Sequence, residues 1–184
     1  MNKQLETLIE FMPPPQHLHD HQINWHAVEE VLGLKYPTSF KEFISVYGAS
    51  KWFDYFSPFY LTSNDEVQLG DFCKTAAYYL DYLKDNILTS QQKGDYIPQD
   101  FVPFPEAGCY LPFMIDEGSN FYFWKTDMSS PEDWPIIIGP YGELNILENM
   151  SITEMFLSYL NREPPMFDIW GDINDVPPEE MTVE

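Results

Sequence analysis

Between Tyr96 and Leu147 the chain is a succession of short runs of strand formers. These are "FVPF", "GCYLPFMI", "NFYFWKT", "WPIIIG" and "GELNIL", divided by the turn sequences "DEGSN", "DMSSPED" and "GPYG". A period of two cut by turns of a few residues leaves no room for the helical crossovers that parallel strands require. The segment therefore predicts an antiparallel meander and excludes a doubly wound parallel sheet.

The flanking sequence has a helical period. In "MNKQLETLIEF", Leu5, Leu8 and Ile9 share one side, and the prolines at 13–15 end the helix. Asn24 is placed as an N-cap for "WHAVEEVL", with Gly33 at its C-terminal end. Ser39 with Glu42, Ser63 with Glu66, and Ser151 with Glu154 have the spacing of capping boxes at the starts of three further helices. "KWFDYFSPFYLT" reads as aromatic-rich extended chain in which Pro58 implies an edge or a bulge. The expected fold is α+β, a mainly antiparallel β-sheet flanked by helices. Residues 1–24 form an N-terminal helix and a Pro/His connector, 25–161 the domain, and 162–184 an acidic, proline-containing tail that is flexible or draped over the surface.

With 44% hydrophobic and 17% aromatic residues there is ample material for a core, so the acidity does not mark a disordered chain. The net charge is -21, from 30 acidic and 9 basic residues, and it is uneven: residues 126–184 hold a single base, Arg162. Such a field repels nucleic acid and anionic lipid and steers in a basic protein partner. Glu6 and Glu10 interrupt the stretch where a signal peptide needs an apolar core, no apolar run is long enough to span a bilayer, and Cys73 and Cys109 lack metal-site or disulfide-framework spacing. A cytoplasmic protein with free thiols is the expectation.

The order of these signals resembles the SUKH superfamily, which includes fungal cell-wall-synthesis regulators and many bacterial immunity proteins. Trp25 with "VEEVLGLKYPTSFKEFISVYG" is similar to the family's N-terminal pattern of a Trp, an acidic pair, Leu-Gly, a Pro and a terminal Tyr-Gly. "YIPQDFVPF", "FMIDEGSNFYFW" and "SITEMFLSYL" then resemble the segment leading into the sheet, its central hairpin and the closing helix. The likeness runs from Trp25 to Leu160. It departs at "FPEAGCYLPF", where a glycine-richer turn is usual, and at both extended termini. The resemblance implies an α+β domain without catalytic apparatus, acting as an immunity-type protein that neutralises a cognate, basic, nuclease-like toxin domain by direct binding. An intracellular regulatory scaffold is the alternative within the same fold.

All four histidines lie in "HLHDHQINWH". His17, His19 and His21 would share one face if extended, which raises a metal-dependent hydrolase as a third reading. His26 is accounted for by a helical pair with Glu30. No acid or cysteine set completes a metal centre, and Walker, GxSxG and HExxH signatures are lacking, so neither an enzyme nor a cofactor is expected. The candidate partner-binding residues are Asp116, Glu117, Glu132, Asp133 and Trp134, acidic turns with one aromatic among them, as suits an anchor with a charged rim. Trp134 also precedes "PIII", where a core position is the competing role.

Overall fold

The computed structural model describes residues 2–15, 23–91, 101–126, 130–139 and 144–171, together with 173 and 183. Among these, the elements in chain order are α1 (Lys3–Phe11), α2 (Trp25–Leu32), α3 (Thr38–Tyr47), β1 (Phe56–Pro58), α4 (Glu66–Gln91), β2 (Tyr110–Asp116) and β3 (Phe121–Lys125). A 3-10 turn (Pro131–Asp133) follows, then β4 (Ile136–Gly139), β5 (Asn145–Leu147), α5 (Ile152–Leu160) and α6 (Met166–Trp170). The strands form one sheet in the order β1-β2-β3-β4-β5, and every neighbouring pair is antiparallel. This is the predicted α+β meander. Pro112 fits within β2 because the β2–β3 register shifts between Pro112 and Met114, a bulge that tolerates its missing donor.

The strand alternation sorts side chains onto two buried faces. Tyr122, Trp124, Ile136, Ile138 and Leu147 join the larger core, which also takes Leu8 of α1, Val28 of α2, Phe43 of α3, Phe156 of α5 and Met166 of α6. Phe121, Phe123 and Ile137 point the other way, onto Leu80 and Leu83 of α4. Burying each such side chain stabilises the fold by about 1.5–3 kcal/mol. Stacked rings tie the helical layer together: Phe43 lies 5.8 Å from Phe156, and Phe156 lies 4.2 Å from Trp52.

Helix ends follow the sequence in some places and depart from it in others. Asn24 Oδ1 accepts from Ala27 N at 3.2 Å, Gly33 takes a left-handed φ of 69°, and Ser151 with Glu154 forms the expected capping box. Ser39 and Glu42 do not. Pro37 occupies the N-cap of α3, and the donors are met from afar: the Glu132 carboxylate accepts from Thr38 N, from Ser39 N at 3.3 Å and from the Ser39 hydroxyl at 2.8 Å. At α4 the nearer acid displaces Ser63, since Asp65 Oδ1 accepts from Val67 N at 3.0 Å and Gln68 N at 3.1 Å.

Two other expectations are corrected. The aromatic run after Lys51 yields only the short β1, because Phe53 and Asp54 have φ of 57° and 51° and turn the chain back, with Phe56 N donating to Trp52 O at 2.9 Å. "FVPF" contributes one parallel bridge, Pro103 to Tyr110, rather than a strand. The core also reaches beyond residues 25–161: Leu5 and Leu8 of α1 are buried, α1 and α6 both pack on α5, and Met166 is fully enclosed.

Candidate functional site

The β2–β3 hairpin ends in Asp116, Glu117, Gly118, Ser119 and Asn120. The reversal is tight, with Asp116 N donating to Asn120 O and Ser119 N to Asp116 O, both at 3.1 Å. A Cβ at position 118 would lie 2.5 Å from the Tyr55 hydroxyl and 3.2 Å from Asp116 Oδ1, so glycine is needed for this close approach. The turn folds the Asp116 carboxylate inward. Its Oδ1 accepts from Asn120 N at 2.9 Å, and its Oδ2 accepts from Asn120 Nδ2 and from the Tyr122 hydroxyl, each at 2.9 Å. The Tyr122 oxygen in turn accepts from Trp170 Nε1 at 2.8 Å, which joins the hairpin to α6.

Burial dominates the electrostatics of this chain. It pushes the Asp116 carboxyl above the ordinary range, against the lowering effect of the donors from Asn120, Tyr122 and Gly118. It also holds the Tyr122 phenol well above its ordinary value, reinforced by the neighbouring carboxylate. Tyr122 therefore serves as a fixed donor rather than as a base. Beside the network lies a cavity of about 90 Å³ lined by Asn120, Tyr122, Ile138, Asn145, Ile169 and Trp170. The half-buried side chains of Asn120, Asn145, Ile169 and Trp170 bring its mouth to the surface.

The five sequence-derived residues do not form one patch. Glu117 belongs to the turn leading into β3, whereas Glu132, Asp133 and Trp134 follow the far end of that strand. Glu117, Glu132 and Asp133 are exposed. Glu117 pairs with Lys51 at 2.7 Å, and Glu132 caps α3 as described. Asp116, expected in an exposed turn, is only 5% exposed, and Trp134, for which the sequence leaves an anchor and a core position open, is 6% exposed. Trp134 leads straight into β4 and packs in the larger core, with no hydrogen-bond partner for its Nε1.

Asn120, Tyr122, Asn145 and Trp170 were not singled out from sequence. The "DEGSNFY" spacing carries a signal for the first two, because residues flanking a two-stranded turn face each other, while Trp170 sits among prolines and acids that conceal its helix. His17, His19 and His21 lie outside the described residues, and His26 is exposed in the first turn of α2. Among the described residues no three His, Cys, Asp or Glu side chains gather as metal ligands. Both cysteines are free, and burial raises both thiols, which disfavours the reactive thiolate. No helix among the described residues is long and apolar enough to cross a membrane.

No curated protein and no solved structure matches the chain. Residues 22–160, by contrast, match the SUKH_6 family, described as SMI1-KNR4 cell-wall. That span includes the sheet, the hairpin with its buried Asp116 and the capping box of α5, so on most of its length the chain belongs to the SUKH superfamily in its SMI1-KNR4 family.

Proposed function

We propose that this protein is an immunity-type binding protein that neutralises a cognate toxin domain, basic and nuclease-like, by direct contact and without chemistry of its own. The family is consistent with such a role. The observation that carries the reading is where the charge sits: on a chain of net charge -21, Asp116 is the sole buried carboxylate among the described residues, so nearly all of the described acidic charge faces outward. An outward negative field of this size speeds capture of a basic partner and competes with nucleic acid for its cleft. Glu117, Glu132 and Asp133 are steering charges in this account, set at two ends of the sheet. The test is to identify a toxin domain encoded beside this chain's gene and to mix it with the purified chain. A one-to-one complex with loss of nuclease activity is the expected result. Absence of a complex at micromolar concentration, with undiminished nuclease activity, would overturn the proposal.

A further inference from the structure

The Asp116 carboxylate is buried, yet its hydrogen-bond partners are all neutral groups, and none of the ion pairs among the described residues involves it. Buried ionised groups are ordinarily paired with an opposite charge, because neutral donors replace only part of their hydration. One hydrogen bond in front of this carboxylate stand Asn120 and Tyr122, and both line the cavity. A second cavity wall is the Trp170 indole. Its position is fixed by its bond to Tyr122 and by the Phe56 ring at 4.4 Å, and the Tyr122 ring lies 6.4 Å away at 68°. Among the described residues no Lys or Arg lines the cavity, and α6 adds the exposed Asp168 next to Ile169. Lys51, near the same hairpin, is engaged with Glu117.

We infer that this cavity is the receptor for one basic side chain, the guanidinium of an arginine or the ammonium of a lysine, presented by the protein's partner. A volume of about 90 Å³ takes the head of such a side chain. Several liquid-water volumes of about 30 Å³ each would fill the same space, so displacing them is the cost of entry. The cation lies between the half-buried Trp170 indole, whose ring attracts positive charge within about 6 Å, and the amides of Asn120 and Asn145. Behind them the Asp116 charge acts through a low-dielectric wall that screens it little. An anion at this place would face the same carboxylate and, among the described residues, no compensating cation in the lining. Only the identity of the carrier, a toxin domain, rests on the function proposed above. The cavity's preference for cations stands separately.

The full-length chain is titrated with methylguanidinium chloride and methylammonium chloride, and in parallel with sodium acetate and N-methylacetamide. The indole Nε1–H resonance of Trp170, assigned by its loss in Trp170→Phe, is followed. Saturable shifts in the millimolar range are expected for one or both cations and for neither control. Which cation saturates first distinguishes arginine from lysine. In Asn145→Phe, which fills the mouth from β5, saturation is lost while the chain still unfolds in one cooperative transition; Ile169→Phe is the second filling variant should the first unfold. A shift that grows linearly with all four solutes, or saturates equally with acetate, overturns the inference. If the toxin binds the wild-type chain, Asn145→Phe weakens that complex roughly tenfold or more, as expected for a buried anchor. Unchanged affinity in a folded, filled variant overturns the assignment of the cavity to the interface and leaves the immunity reading in place. Absence of any toxin complex strikes the immunity reading, and the small-cation titration then decides the cavity.

Discussion

Three donors from Asn120 and Tyr122 converge on the Asp116 carboxylate, and the shape of the hairpin tip depends on that convergence. Replacing it by the isosteric amide sets a donor against a donor, so Asp116→Asn lowers stability by about 1–3 kcal/mol. The pH dependence separates charge from shape. Because burial raises this carboxyl, the folded chain holds its proton more tightly than the unfolded chain does. The stability it contributes is therefore fully present below the ordinary carboxylate range and is lost as pH rises through the raised value. Asp116→Asn cannot titrate there, and the other acids are common to both proteins. Urea unfolding from about pH 3 to 7 should show the wild type's advantage shrinking as pH rises; an advantage that is constant or grows would contradict the assignment. Trp134 presents a separate case, since its ring is buried but its Nε1 has no partner. Trp134→Ala should cost about 3–5 kcal/mol by leaving a cavity. Trp134→Phe should cost far less, because it discards a donor that forms no bond. Equal losses in chemical denaturation would show that the indole nitrogen matters after all.

Elements whose signals are local were legible in the sequence, and those fixed by remote contacts were not. The amphipathic periods of α1, α2 and α5, the Asn24 cap and the Ser151–Glu154 box depend on residues within one or two turns, and they stand where the pattern places them. The strands from Tyr110 to Leu147 were equally plain, because alternation and turn residues set their register. Ser39 and Glu42 have the right spacing, but a proline fills the cap position and Glu132, 93 residues from Ser39, takes over the donors. No local rule reports that. The inward turns of Asp116 and Trp134 are also tertiary outcomes: Asp116 reads from sequence as a turn residue, and Trp134 before the isoleucine run fits an anchor or a core position alike. α6 was hidden by prolines and acids that read as a tail, yet Met166 is fully enclosed and Trp170 reaches Tyr122. Ending the chain after residue 161 should therefore bare Phe56 and Phe156, both neighbours of the Trp170 ring. The shortened chain should lose several kcal/mol of stability, at about 1.5–3 kcal/mol per large side chain. Thermal unfolding checks this, and an unaltered melting temperature would make α6 an ornament rather than part of the core.

At the scale of the whole molecule, the sheet carries packed helices on both faces, and most of the described acidic charge is spread over the outside. Two features bear on partner binding in different ways. In the proposed complex the exposed acids act at a distance on encounter, so their influence fades as salt shortens the screening length from about 10 Å at 0.1 M to about 3 Å at 1 M. As the inferred receptor for a partner's basic side chain, the cavity beside Asp116 acts only in contact and sets how long that proposed complex lasts. Since Glu117 and the pair Glu132 and Asp133 lie at opposite ends of β3, neutralising each group separately shows which end the partner approaches. The most direct measurement of the central claim is the association rate with a toxin domain found encoded beside this chain's gene, by stopped flow across a range of ionic strength. The account predicts an association rate that is fast at low salt and falls steeply as salt rises, with the dissociation rate changing little. A rate constant independent of ionic strength, or no association at all, would contradict it.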